Sequence, residues 1–141
     1  MTTAAENEAL IRAYIESART ARGDATAGAA HAARWYHPDM VCDWTGRSPF
    51  AGVYRGREFF EEWAPKWRAY DVTIGELIDV LASEQRVAVL VVEEYRHRES
   101  GEVLRIDRLS MYELEDGKLK SMTVRDKDQY ASDEFWTRTT S

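Results

Sequence analysis

Cysteine is nearly absent from this 141-residue chain. Cys42 stands alone, so neither an intrachain disulfide nor a cysteine-built zinc site can form, and packing is the expected role of its thiol. Long apolar runs are missing too: no stretch approaches the roughly 20 apolar residues that span a bilayer. The opening MTTAAENEAL has neither the basic flank nor the apolar run of a secretory signal, and a cytoplasmic location is expected. Basic charge is in short supply. With 19 Lys and Arg against 25 Asp and Glu, a net charge of −6 and no basic stripe, the chain is poorly suited to tracking phosphates, and nucleic acid is not an expected partner.

Other devices are missing as well. No G-x-G-x-x-G, G-x-x-x-x-G-K-S/T or G-x-S-x-G occurs, so the usual nucleotide cradles and the serine-hydrolase elbow are lacking, and the consistent chemistry is cofactor-free. His31, His37 and His97 are spread over a helix, a loop and a strand end without carboxylates at ligand spacing. No metal is expected.

What is present describes one ordinary domain, residues 1–141, with 44% hydrophobic and 31% charged residues. Between residues 6 and 22, Leu10, Ile11, Tyr14, Ile15 and Ala18 recur at helical spacing. Gly23 can close that helix, and Asp24 can cap a second, alanine-rich one that stops before Pro38. Residues 40–45 read as a short strand, and the following GRSPFAGVYRG reads as a turn-rich loop. A third helix starts near Arg57, carries Phe59, Phe60, Trp63 and Trp67, and is interrupted by Pro65. Beyond Tyr70 the period changes to two, giving long antiparallel strands over 72–81, 87–95, 103–114 and 119–130 with turns at SEQ, RESG and EDGK. The tail after Trp136 reads as frayed. Helices followed by a meander imply an α+β fold.

Two segments carry a family resemblance. Residues 39–58, DMVCDWTGRSPFAGVYRGRE, and the closing DGKLKSMTVRDKDQYASDEFW resemble SnoaL-like proteins of the NTF2-like superfamily, and with the order of elements the similarity covers most of the chain. The resemblance implies an α+β cone, with N-terminal helices packed on a strongly curved, mostly antiparallel sheet that encloses an apolar pocket. That superfamily includes polyketide cyclases, ketosteroid isomerases, limonene epoxide hydrolases, dehydratases and non-catalytic binding proteins, so the fold alone does not choose a function.

Asp43 is the first catalytic candidate. Strand alternation groups it with Val41 and Thr45, opposite Cys42 and Trp44; a carboxylate facing an apolar pocket is suited to moving protons, and V-C-D-W-T-G resembles the setting of the ketosteroid isomerase base. The competing reading is a strand-end aspartate that accepts backbone bonds from the glycine-rich loop. Tyr14, on the apolar face of the first helix, is placed like an isomerase tyrosine that stabilises an oxyanion; it fits equally well as a core tyrosine. Asp107 is a candidate second acid, but a pocket-facing row of Leu104, Ile106, Arg108, Ser110, Tyr112 and Leu114 turns it outward with Leu109 and Met111. Asp126, in VRDKDQY, resembles the last-strand aspartate of cyclases and epoxide hydrolases, against a solvated strand end as the alternative. Epoxide hydrolysis would call for an Arg-x-Asp pair on the preceding strand, where Glu93, Glu94 and Tyr95 stand instead; Arg105 and Asp107 have that spacing on another strand.

Phe59, Trp63, Trp67, Tyr95 and Tyr112 are candidate walls for a flat ligand, with Arg108 and Ser110 as its polar contacts; core packing is the alternative for each. The expected function is a cofactor-independent cyclase, isomerase or dehydratase acting on a hydrophobic, oxygenated small molecule. A non-catalytic binding module and an epoxide hydrolase are the alternatives. Aliphatics on the outer face of the meander, Leu109 and Met111 among them, imply a homodimer.

Overall fold

The computed structural model describes residues 2–21 and 25–140. The expected helix stop at Gly23 and cap at Asp24 lie outside the described residues.

Helix α1, Ala4–Ala21, buries Asn7, Ile11, Tyr14, Ile15 and Ala18 on one face, the stripe that a 3.6-residue period brings together. Asn7 is the polar member of that stripe: its amide donates to the Ser83 carbonyl at 3.0 Å and so pins the start of α1 to a strand turn. Helix α2, Ala25–Trp35, is joined to α1 by the Ser17 hydroxyl, 2.8 Å from His31 Nδ1.

Strand β1 spans Tyr36–Trp44 and starts earlier than the sequence suggests, with an irregularity between Tyr36 and Val41 where Pro38 sits. Proline has no N–H for the ladder, which confines it to irregular stretches of this kind. The turn-rich loop contains a short strand, β2, Gly52–Arg55, antiparallel to β1. Phe50 of this loop is fully buried, and the Tyr54 hydroxyl donates to its carbonyl at 2.9 Å. The expected third helix is a single π-helical turn, Phe59–Trp63, followed by a 3₁₀ stretch, Ala64–Ala69. Pro65 stands at the start of the second piece, where its missing N–H is tolerated.

Strands β3 (Tyr70–Ala82), β4 (Arg86–His97), β5 (Val103–Glu115) and β6 (Lys118–Asp126) form the antiparallel meander. The six-stranded sheet has the order β2-β1-β6-β5-β4-β3, and the β1–β6 pair is parallel. It is curved and does not close into a barrel, and the helices pack on its inner face.

The chain corrects the reading of its own end. The last strand stops at Asp126, and Gln129–Thr140 forms helix α3. Asp128 caps it, accepting from the Ala131 N–H through Oδ1 at 3.1 Å. Ser132, Phe135, Trp136 and Thr139 form the buried face of this helix, and Trp136 is fully enclosed by Phe50, Trp67, Tyr70 and Tyr95. Among the described residues no helix is long and apolar enough to cross a membrane.

Candidate functional site

Strand alternation and curvature leave a cavity of about 350 Å³ between the inner face of the sheet and the helices. Its walls are aromatic: Tyr36 and Trp44 from the two ends of β1, Phe59, Phe60, Trp63 and Trp67 from the π and 3₁₀ turns, and Tyr14 from α1. These rings brace one another, Trp63 stacked on Phe59 at 5.1 Å and Trp44 4.9 Å from Trp67. A rigid apolar wall of this kind suits a flat, weakly polar ligand.

The floor is polar and comes from the inner rows of β4 and β5. Glu93 and Tyr95 continue the inner row of Val89 and Val91 on β4, and Arg108 and Ser110 lie between Ile106 and Tyr112 in the inner row of β5. The side chains of Arg108, Asp126 and Glu93 are 4%, 3% and 11% exposed, so this is a buried charge cluster and its geometry has to be close-fitting. Arg108 grips Asp126 with two N–H groups, Nε to Oδ1 at 2.8 Å and Nη2 to Oδ2 at 3.3 Å. Its Nη1 donates to Glu93 Oε2 at 2.5 Å and also to the Tyr95 hydroxyl. Tyr95 in turn donates to Glu93 at 3.0 Å. Burial opposes the guanidinium charge, but the Tyr95 oxygen and the Glu93 and Asp126 carboxylates outweigh it and hold Arg108 well above its ordinary range. The cation also lies 4.5 Å from the Trp44 ring centroid, a further contact that favours the charged form.

A second polar group sits at the helical end. The Tyr14 and Tyr36 hydroxyls are 3.0 Å apart, and His31 packs 5.3 Å from Tyr14 and 5.6 Å from Tyr36. Tyr112 lies between the two ends, 5.7 Å from the Tyr14 ring. Burial pushes its phenol up, against a hydrogen bond from Ser110 that pulls the other way. It is held as a proton-bearing hydroxyl.

Among the candidates, Tyr14, Phe59, Trp63, Trp67, Tyr95, Arg108, Ser110 and Tyr112 all line this cavity. Asp126 stands behind Arg108 and reaches the cavity through it. Asp43 does not line the cavity: its neighbour Trp44 does, and with a side-chain period of two only one of them can face inward. Asp107 is exposed on the outer face, because Arg108 takes the inner position on β5. Glu93, Tyr36, His31 and Trp44 belong to the cavity, although none was singled out from the sequence as a site residue. For Glu93 a signal existed, a lone acid in the inner row Val89, Val91, Glu93, Tyr95.

Away from the cavity, His37, Glu115 and Asp116 offer ligand atoms within 4.8 Å of one another. His37 Nδ1 accepts the Asp39 N–H at 3.0 Å, which places the ring proton on Nε2, facing Glu115 at 3.3 Å. A metal would have to displace that proton, so the arrangement favours a hydrogen-bonded pair.

Among curated proteins, none matches the chain. Solved structures match its fold. A Xanthomonas campestris protein of unknown function with a cystatin-like fold is 24% identical, with a TM-score of 0.73 over 89% of this chain and 96% of that one. An NTF2-like protein of Burkholderia xenovorans is 20% identical, with a TM-score of 0.72 over 97% and 98%. A candidate polyketide cyclase of Xanthomonas campestris pv. campestris is 16% identical, with a TM-score of 0.69 over 94% and 98%. The family profile described as the SnoaL-like domain matches residues 11–122, a span that holds both the aromatic wall and the Glu93–Arg108 floor, and the chain belongs to this SnoaL-like family.

Proposed function

We propose that this protein is a cofactor-independent acid/base enzyme, a cyclase, isomerase or dehydratase, acting on a hydrophobic oxygenated small molecule of polyketide or terpenoid/steroid-like character. One observation carries the reading: a buried carboxylate, Glu93, hydrogen-bonded to Arg108 and Tyr95 at the floor of an aromatic cavity. A carboxylate so placed can take a proton from carbon or oxygen while the guanidinium and the phenol hold its position. The role considered for Asp43 falls to Glu93, with Asp126 as the group that orients Arg108. The Tyr14–Tyr36 hydroxyl pair, at the other end, supplies a hydrogen bond to a substrate oxygen as charge develops on it. The neighbour described as a candidate polyketide cyclase is consistent with this class of substrate.

The test is product formation from a panel of carbonyl-bearing polyketides and terpenoids, followed by mass spectrometry. Glu93→Gln keeps the shape of the side chain but cannot accept a proton, so turnover should fall by about 100-fold or more while binding persists. Full turnover in that variant would remove Glu93 from the mechanism.

Epoxide hydrolysis is the second reading, favoured by one guanidinium held between two carboxylates. Formation of a diol carrying one oxygen from ¹⁸O-labelled water would select it, and an unchanged epoxide would dismiss it.

A further inference from the structure

Helix α2, ATAGAAHAARW, is largely alanine, and its one glycine falls on the cavity. Gly28, His31, Ala32 and Trp35 stand at i, i+3, i+4 and i+7 and so share one face of the helix. The first three line the cavity, and Trp35 is buried. A glycine inside a helix loses more backbone freedom on folding than alanine does, so at Gly28 the helix gives up stability that Ala27 and Ala29 on either side supply.

The backbone does not call for glycine at this point. Gly28 does not adopt a positive φ, and among the described residues a Cβ built on it would meet nothing within 4 Å. Neither a special conformation nor a close approach therefore accounts for it. What the missing side chain leaves is room in the cavity. Ala18 and Ala21 of α1 and Ala64 of the 3₁₀ stretch line the same space. Gly28, Ala32 and Ala64 are half-buried where Tyr95, Arg108 and Ser110 are buried. The cavity thus runs from an enclosed polar floor to a more open end bordered by small residues.

We propose that Gly28 is a specificity-determining residue: by carrying no side chain it lets the cavity reach the α2 backbone, so that an elongated ligand is accommodated along its whole length. This deepens the function proposed above and rests on the same cavity as its substrate site. Alanine at this position makes a more stable helix and a shorter cavity, so stability and ligand length pull in opposite directions.

The probes are acetophenone and 2-acetylanthracene, which carry the same methyl ketone on one ring and on three linearly fused rings. Binding is followed by quenching of tryptophan fluorescence. Wild-type protein should bind the tricyclic ketone at least about tenfold more tightly, through the additional apolar area it buries. Gly28→Ala should raise the thermal midpoint by about 2–6 °C and yet weaken the tricyclic ketone by about threefold. Gly28→Leu should weaken it at least about tenfold while acetophenone stays within about twofold of wild type. Ala32→Leu, one turn further on the same face, should act as Gly28→Leu does, which keeps the test open if that variant folds poorly. Ala30→Leu, on the exposed side of α2, should leave both affinities unchanged. A lower midpoint for Gly28→Ala would make the glycine a structural one and overturn the proposal. So would a tricyclic ketone that binds wild type no more tightly than acetophenone, or one whose affinity neither leucine variant at positions 28 and 32 moves. Only binding is measured, so these outcomes decide the role of Gly28, and a lack of turnover on any ketone bears on the acid/base reading alone.

Discussion

Arg108 and Asp126 face each other across β5 and β6 as direct register partners, and their side chains close a two-point bridge, 2.8 and 3.3 Å, inside the fold. The sheet therefore holds the guanidinium from the back, leaving Glu93 and Tyr95 to hold it from the side of the cavity.

Removing one partner of a buried ion pair strands the other. Asp126→Ala should lower unfolding stability by about 3–5 kcal/mol in urea denaturation, whereas Asp107→Ala, one strand away on the outer face, should stay within about 0.5 kcal/mol of wild type. Equal effects from the two would refute the assignment of inner and outer rows.

These two aspartates also show what the sequence made legible. Alternation on β5 is sufficient to turn Asp107 out and Arg108 in, since Arg108 shares its row with Leu104, Ile106, Tyr112 and Leu114. On β1 the same rule left two choices open, because V-C-D-W-T has apolar residues in both rows, and only the aromatic cluster against the π turn decides that Trp44 faces inward. Glu93 is not legible in the sequence because a charged residue in an apolar row reads as a breach of the pattern until Arg108, 15 residues further along the chain, is brought beside it by the β4–β5 hairpin.

Helix α3 was invisible for a related reason: its polar, low-propensity residues describe a helix only once Phe135 and Trp136 have a core to enter. Trp136→Ala should cost about 3–5 kcal/mol, read as a fall in the denaturation midpoint. A loss below about 1 kcal/mol would mean that the tail is not docked.

Cys42 is fully buried, and burial first, with the nearby Asp43 charge second, pushes its thiol from 9.0 up to about 12. The native protein should not react with a thiol reagent at pH 8, and should react fully in denaturant. In the folded chain the thiol stays protonated while the unfolded chain ionises near 9, so this group leaves stability unchanged below that pH and erodes it between about 9 and 12.

Gly46 sits at φ 112°, and a Cβ there would lie 2.2 Å from Asp133 Oδ1 and 2.6 Å from Gln129 Nε2. Gly46→Ala should destabilise by more than about 1 kcal/mol. Gly101→Ala, also at positive φ but with open space around it, should cost less; thermal melts of both variants rank them.

The outer face exposes Met111 at 41% and Val103 at 51%, and Leu109 is half-buried between them on β5. Light scattering should give the mass of a homodimer, and Met111→Glu should shift it toward the monomer. A monomeric wild type at working concentration would dismiss the dimer.

The parallel seam between β1 and β6 has a consequence for how the protein is made. Thr45, just past the end of β1, donates its hydroxyl to the Val124 carbonyl 79 residues further on, so β1 finds its neighbour only after the whole meander has emerged from the ribosome. Until then its edge is open and the aromatic wall has no floor. Pairings this distant slow folding and expose sticky intermediates, and the wall and floor of the cavity are therefore joined only late in assembly.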